Sequence, residues 1–150
     1  MPATARSTVH LAGTRSGIRQ AIEAFDEFRA ENGLRPSAVW QVNVALDEIL
    51  SNIVGHAYRN RPDAWIDVTF ALAGGSLEVT IVDDGPPFDP LALPAPDLTA
   101  SIEARRPGGL GVHLVRSLMD GVEYARRDGR NWLVLRRRLP ASEGTNREKG

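Results

Sequence analysis

Leu46-Asp47-Glu48-Ile49-Leu50-Ser51-Asn52-Ile53-Val54-Gly55-His56-Ala57-Tyr58 carries two helical stripes at once. Leu46, Ile49 and Ile53, extended backward by Val39 and Val42, recur at three- and four-residue steps, the pattern of an apolar helix face. Glu48, Asn52 and His56 stand four residues apart and share the neighbouring stripe. The spacing predicts a helix over about 38–57, opened by Pro36-Ser37 and ended before Arg61-Pro62-Asp63. Its polar stripe borders buried surface. A carboxylate and an amide one turn apart can seat a base beside a hard-cation ligand, and magnesium takes few protein oxygens, leaving the rest to water and phosphate. A solvated polar face is the ordinary alternative for the same spacing.

Outward from this helix, Thr8-Val9-His10-Leu11 alternates as a short strand. Thr14 or Ser16 then caps a helix to about Glu31, with Ile18, Ile22, Phe25 and Phe28 on one side and Asn32-Gly33 as its stop. In the other direction Ile66, Val68, Phe70 and Leu72 alternate, Gly74-Gly75 turns the chain, and Leu77, Val79 and Ile81 return to Asp83-Asp84-Gly85. A proline-rich stretch from Pro86 to Pro107 shows no period, and loops of that length usually serve as lids or binding loops. A helix follows from Gly109 to about Met119. Strands near Val122–Arg127 and Trp132–Leu139 close the pattern, joined by Asp128-Gly129-Arg130-Asn131. Neighbouring strands form hairpins without regular βαβ alternation. The expected class is therefore α+β: a two-layer sandwich with a mixed, mostly antiparallel sheet and helices on one face. One domain over 8–139 is expected, with 140–150 having the composition of a disordered tail.

Composition narrows the chemistry. The 150 residues suit one domain with one sizeable core. There is no cysteine, which excludes disulfides, thiolate nucleophiles and cysteine-held metal centres. Of 18 Lys and Arg residues the only lysine is Lys149, so a P-loop with its internal lysine is excluded. Phosphate must then be held by backbone amides, a metal or arginine. A net charge of -1 argues against nucleic acid as the main partner. No apolar run approaches the ~20 residues that span a bilayer, and Met1-Pro2-Ala3-Thr4 leads into no apolar leader segment. A cytoplasmic protein without a membrane role is expected.

Two further blocks carry chemistry. Ile81-Val82-Asp83-Asp84-Gly85-Pro86-Pro87-Phe88 ends an apolar strand in a carboxylate at a sharp turn, and a carboxylate accepts from an exocyclic amine such as that of adenine. Read alone, it is also an ordinary Asp-Gly turn. Pro107-Gly108-Gly109-Leu110-Gly111-Val112 opens a helix with glycines, where free amides and the helix dipole favour phosphate. It lacks the preceding strand and the G-x-G-x-x-G spacing of a dinucleotide fold.

In this order the blocks resemble the GHKL ATP-binding superfamily over about residues 8–139. Within it they look like the stand-alone anti-sigma-factor serine/threonine-protein kinases. The His56-Ala57-Tyr58 ending, the Gly85-Pro86-Pro87-Phe88-Asp89-Pro90 run and the Gly109-to-Asp120 segment carry that likeness. The resemblance implies a cytoplasmic, ATP- and Mg2+-dependent kinase that holds a sigma factor and phosphorylates a STAS-type anti-sigma-factor antagonist, with a homodimer plausible. It implies Glu48 as general base, Asn52 as magnesium ligand and Asp83 as acceptor from the adenine amine, with Gly85 letting the base approach. Gly109 and Gly111 would cradle phosphates, and 88–108 would form the ATP lid. Arg105 and Arg106, placed by charge and position, would reach the γ-phosphate. His56 either continues the site stripe or packs as a structural histidine. The family's D-x-G-x-G pattern is broken at Pro87, which has no amide hydrogen and a fixed φ. That departure keeps a second reading open: a regulatory module acting by protein association without phosphotransfer.

Overall fold

The computed structural model describes residues 4–92 and 109–141. Arg105, Arg106, most of the expected lid and residues 142–150 of the expected tail lie outside the described residues. The chain runs β1 (Ala5–Ala12), α1 (Arg15–Glu31), α2 (Pro36–Asn52), β2 (Trp65–Ala73), β3 (Ser76–Asp83), α3 (Gly109–Leu118), β4 (Gly121–Arg127) and β5 (Arg130–Arg138). The five strands form one sheet in the order β1-β2-β3-β5-β4, and all four pairings are antiparallel. The α+β reading holds, and the described sheet contains no parallel pair.

Local chemistry sets the boundaries. Thr14 caps α1, its hydroxyl accepting from the Gly17 amide at 3.3 Å. At the other end the Asn32 side-chain amide donates to the Phe28 carbonyl at 2.8 Å, and Gly33 continues with φ 68°. Pro36 occupies the first turn of α2, where its missing amide costs nothing. The helix expected over 38–57 changes character after Asn52: Ile53–Ala57 is a π-helical turn. Such turns are frequent at functional sites. Two-residue turns close both hairpins, Gly74-Gly75 (φ 59° and 79°) and Asp128-Gly129 (φ 54° and 73°). Both have the left-handed conformation that matches strand twist.

One face of the sheet is covered. Val68, Phe70, Leu77, Val79, Ile81 and Leu135 are almost fully buried beneath the helices. Phe25 and Phe28 of α1 meet the Phe70 ring at centroid distances of 5.3 and 5.8 Å. Val39, Val42, Leu46, Ile49 and Leu50 seat α2 in the same core. The apolar stripe read from the sequence is thus the buried face of α2, and its polar neighbour runs along the margin of the sheet layer.

Candidate nucleotide site

Register builds the site. On the helix-covered face, Ile66, Asp83, Asn131 and Arg126 are direct cross-strand partners in one row across β2, β3, β5 and β4. The adjacent row is Val68, Ile81, Leu133 and Tyr124. Since side chains alternate faces along a strand, these rows point to the same side. The π-helical turn after α2 stands across from them. Between the two lies a cavity of about 340 Å³, a size suited to a small ligand. Asn52, Ile53, His56 and Ala57 line one side, and Ile81, Asp83, Tyr124, Asn131 and Leu133 line the sheet side. Pro86, Pro87, Phe88 and Pro90 form a third wall. Pro87, the departure from the family pattern, is a wall residue and leaves the cavity open.

Asp83 is 5% exposed. Its Oδ1 accepts from the Gly85 amide at 2.9 Å and from Asn131 Nδ2 at 3.0 Å. Burial pushes its carboxyl above the usual carboxylate range, the two hydrogen bonds and Arg126 pull it back, and Asp84 pushes it up further. Space at Gly85 is tight: a Cβ there would lie 3.0 Å from both Ala57 Cβ and Asp83 Oδ1, so a side chain would need those neighbours to give way. The Asn52 side-chain nitrogen is buried and has no hydrogen-bond partner among the described residues. That nitrogen is therefore left unpaired by the protein's own network, and Asn52 is one of the residues that line the cavity. Among the described residues no group of three or more His, Cys, Asp or Glu is arranged to hold a metal. A cation here would depend on the Asn52 amide together with water and ligand oxygens, which is magnesium's habit.

Glu48 lies one turn before Asn52 on α2, outside the residues lining the cavity. It borders Gly111, where a Cβ would overlap the Glu48 carboxylate. The first turn of α3, beginning at Gly109, is therefore brought against the polar stripe of α2. Glu48, Asn52, Asp83, Gly85, Gly109 and Gly111 fall along one margin of the molecule, in the described part of the predicted set. His56 lines the cavity and so continues the stripe.

Several contributors were not assigned to the site from the sequence. Asn131, read as part of a turn, belongs to β5 and ties Asp83 to the loop after it. Arg126 Nη1 donates to the Gly85 carbonyl at 2.7 Å and Tyr124 lines the cavity. Tyr58 lies beneath: its hydroxyl is 2.8 Å from the Trp65 carbonyl and accepts from the Asp84 amide at 2.9 Å. Arg61 sits over the Tyr58 ring at 5.1 Å and pairs with Asp84 at 3.1 Å. A two-residue Asp128-Gly129 turn would have placed Asn131 in β5 opposite Arg126, but its pairing with Asp83 on β3 follows only from the sheet register.

Residues 11–137 match the family described as Histidine kinase-like ATPase domain. The serine/threonine-protein kinase BtrW of Bordetella bronchiseptica is 36% identical over 128 residues, covering 85% of this chain and 90% of that protein. The serine-protein kinase RsbW of Listeria monocytogenes is 32% identical over 95 residues, covering 61% of this chain and 60% of that protein. Among solved structures, one containing the RsbU and RsbW domains of a Mycobacterium tuberculosis protein superposes with a TM-score of 0.65 at 22% identity. It covers 91% of this chain and 33% of that one, and supports the fold. A buried carboxylate in a cavity of about 340 Å³ is thus set in a sequence that matches over most of its length, and the chain belongs to the histidine kinase-like ATPase domain family.

Proposed function

We propose that this chain is an ATP-dependent serine protein kinase and anti-sigma factor that phosphorylates an anti-sigma-factor antagonist. The observation that carries the reading is the single margin shared by the Asp83–Asn52 cavity, Glu48 and the start of α3. Similarity to BtrW, named a serine/threonine-protein kinase, and RsbW, named a serine-protein kinase, supports the activity. The sigma factor, the STAS-type antagonist, a homodimer and a cytoplasmic location belong to the same proposal. No helix among the described residues is long and apolar enough to cross a membrane.

Each residue has a task set by its place. Asp83 accepts from the exocyclic amine of the base inside the apolar slot, and the prolines and Phe88 close one side. The amides at the start of α3 meet phosphate oxygens, favoured by the helix dipole. Glu48, beside that turn, takes the proton from a serine hydroxyl arriving at the γ-phosphate. Magnesium, when bound at Asn52, would neutralise phosphate charge; phosphoryl transfer depends mostly on such electrostatics and on positioning. Arg105 and Arg106 are proposed to add positive charge at the same end.

The test is transfer of label from γ-labelled ATP to a purified STAS-domain antagonist encoded near this protein's gene. Serine-linked label supports the reading; its absence with folded protein and bound ATP overturns the kinase claim. Gly111→Ala tests the Glu48 placement. The new methyl displaces the mobile end of Glu48 and not backbone. Because alanine favours a helix over glycine by roughly 0.5–1 kcal/mol, stability should stay within about 1 kcal/mol of the parent. Transfer should fall by at least roughly tenfold, the effect of a misplaced catalytic group. Unchanged transfer would place the proton acceptor elsewhere.

A further inference from the structure

The face of the sheet turned away from the helices carries aromatic rings and arginines that the nucleotide cavity does not use. Alternation along β2 and β5 sends Trp65, Asp67, Arg130 and Trp132 to that face, because Ile66, Asp83 and Asn131 point to the other. Arg127 joins them as the cross-strand partner of Arg130, and His10 as that of Asp67. The His10 and Trp65 rings stack at 5.4 Å and 28°. The Arg130 guanidinium lies 5.1 Å from the Trp65 ring centroid, and that of Arg127 lies 4.6 Å from the Trp132 centroid. Val82, between Asp67 and Trp132 in their row, is 6% exposed on this helix-free face. The side chains beside it therefore lie low on the sheet.

Charge at this corner is one-sided. Arg127 and Arg130 are exposed and directly opposed, an arrangement of like charges that costs a sheet stability. Among the described residues neither guanidinium has an ion pair or a hydrogen bond. The acids of the same face are engaged elsewhere: Asp67 pairs with His10, and Glu78 and Glu123 pair with Arg136. Stacking on an indole uses the face of a guanidinium and leaves its N–H donors free. Those donors fit a carboxylate in bidentate fashion. With arginine over both indoles, the rings are not open to stack nucleobases, which favours a protein acid over a nucleic acid.

We propose that this corner of the sheet is a docking surface for an acidic, extended segment of a partner protein, whose carboxylates pair with Arg127 and Arg130. The proposal is independent of the nucleotide site, which lies on the other face. Trp65 and Trp132 stand on strands separated by β3, roughly 10 Å apart. Alternate residues of an extended segment recur about 7 Å apart on one side, so its carboxylates come within reach of both guanidiniums. A second copy is the poorer fit, because a two-fold contact centred here would set these arginines against themselves. The chain's own 142–150 segment balances Glu143 and Glu148 against Arg147 and Lys149 and offers no acidic run.

The experiment follows the indole N–H signals of the ¹⁵N-labelled full chain during titration with a short polyglutamate peptide, its polyglutamine counterpart and an oligouridylate. Trp40, half exposed near the start of α2 at the other end of the domain, is an internal control. Polyglutamate should shift the Trp65 and Trp132 signals saturably and leave Trp40 in place, and polyglutamine should shift none. Arg127→Gln and Arg130→Gln remove only exposed side chains, and each should weaken polyglutamate binding about tenfold, the effect of losing a charge-assisted hydrogen bond. Arg138→Gln removes the same charge from the far end of the same face, beyond the screening length, and should change affinity by less than about twofold. Absent shifts at Trp65 and Trp132, or equal weakening by all three variants, overturn the proposal. So does tighter binding of oligouridylate, which would assign the corner to nucleic acid. A dimer in sedimentation that Arg127→Gln or Arg130→Gln dissociates would assign it to a second copy and overturn the proposal as well.

Discussion

Replacing Asp83 by asparagine should weaken Mg·ATP binding by roughly 10- to 100-fold, the worth of a hydrogen bond to a charged acceptor. The free protein should lose no stability. The side-chain oxygen of the introduced asparagine can still accept from the Gly85 amide and from Asn131, so the internal bonds survive. The charge, in contrast, is a burden on the folded state. Burial first, and Asp84 as a smaller cause, raise the folded-state pKa above the unfolded value. For a group shifted in that direction the stabilising contribution is complete below the unfolded pKa and is lost as pH rises through the folded one. At neutral pH Asp83→Asn should therefore unfold at the same temperature as the parent or a higher one. Nucleotide binding has the opposite dependence. It needs the ionised carboxylate, so affinity of the parent should fall as the solution is acidified through the raised pKa, while the asparagine variant stays flat across that interval. Calorimetry at several pH values and thermal unfolding check both halves. Undiminished affinity in Asp83→Asn would remove Asp83 from the site.

Glu48→Gln should separate binding from chemistry. Glu48 lies outside the residues lining the cavity, so Mg·ATP affinity should change by no more than a few-fold. Its carboxylate lies against Gly111 at the start of α3, the proposed phosphate end, where general-base assistance would contribute on the order of 10²- to 10⁴-fold. Transfer to the antagonist serine should fall by at least about 10²-fold. Single-turnover label transfer with saturating ATP reads this directly. Full transfer by Glu48→Gln would refute the base assignment, and parallel loss of ATP affinity would show that Glu48 holds nucleotide.

What the sequence revealed and what it hid have physical reasons. The apolar stripe of α2 was legible because burial imposes a 3.6-residue period on Val39, Val42, Leu46 and Ile49. The β2–β3 hairpin was legible because Ile66 to Leu72 and Leu77 to Ile81 alternate with burial. The π-helical turn at Ile53–Ala57 was not, since no residue pattern marks where one extra residue enters a turn. Yet that turn forms the wall of the cavity with Asn52, His56 and Ala57. Asn131 escaped because asparagine beside Asp-Gly reads as turn chemistry, and only register shows it opposite Asp83. Pro87, which breaks the family's glycine pattern, forms part of one wall of the cavity.

ATP is proposed to occupy the cavity between the end of α2 and the Asp83–Asn131–Arg126 row. Titration of the ¹⁵N-labelled protein with Mg·ATP, followed by amide NMR, tests it most directly. Saturable shifts are expected at Asn52 to Tyr58, Asp83 to Asp89 without the prolines, Asn131 and the first turn of α3, with little change in β1. Shifts confined to β1 and the uncovered sheet face, or no shifts at millimolar nucleotide, would contradict it.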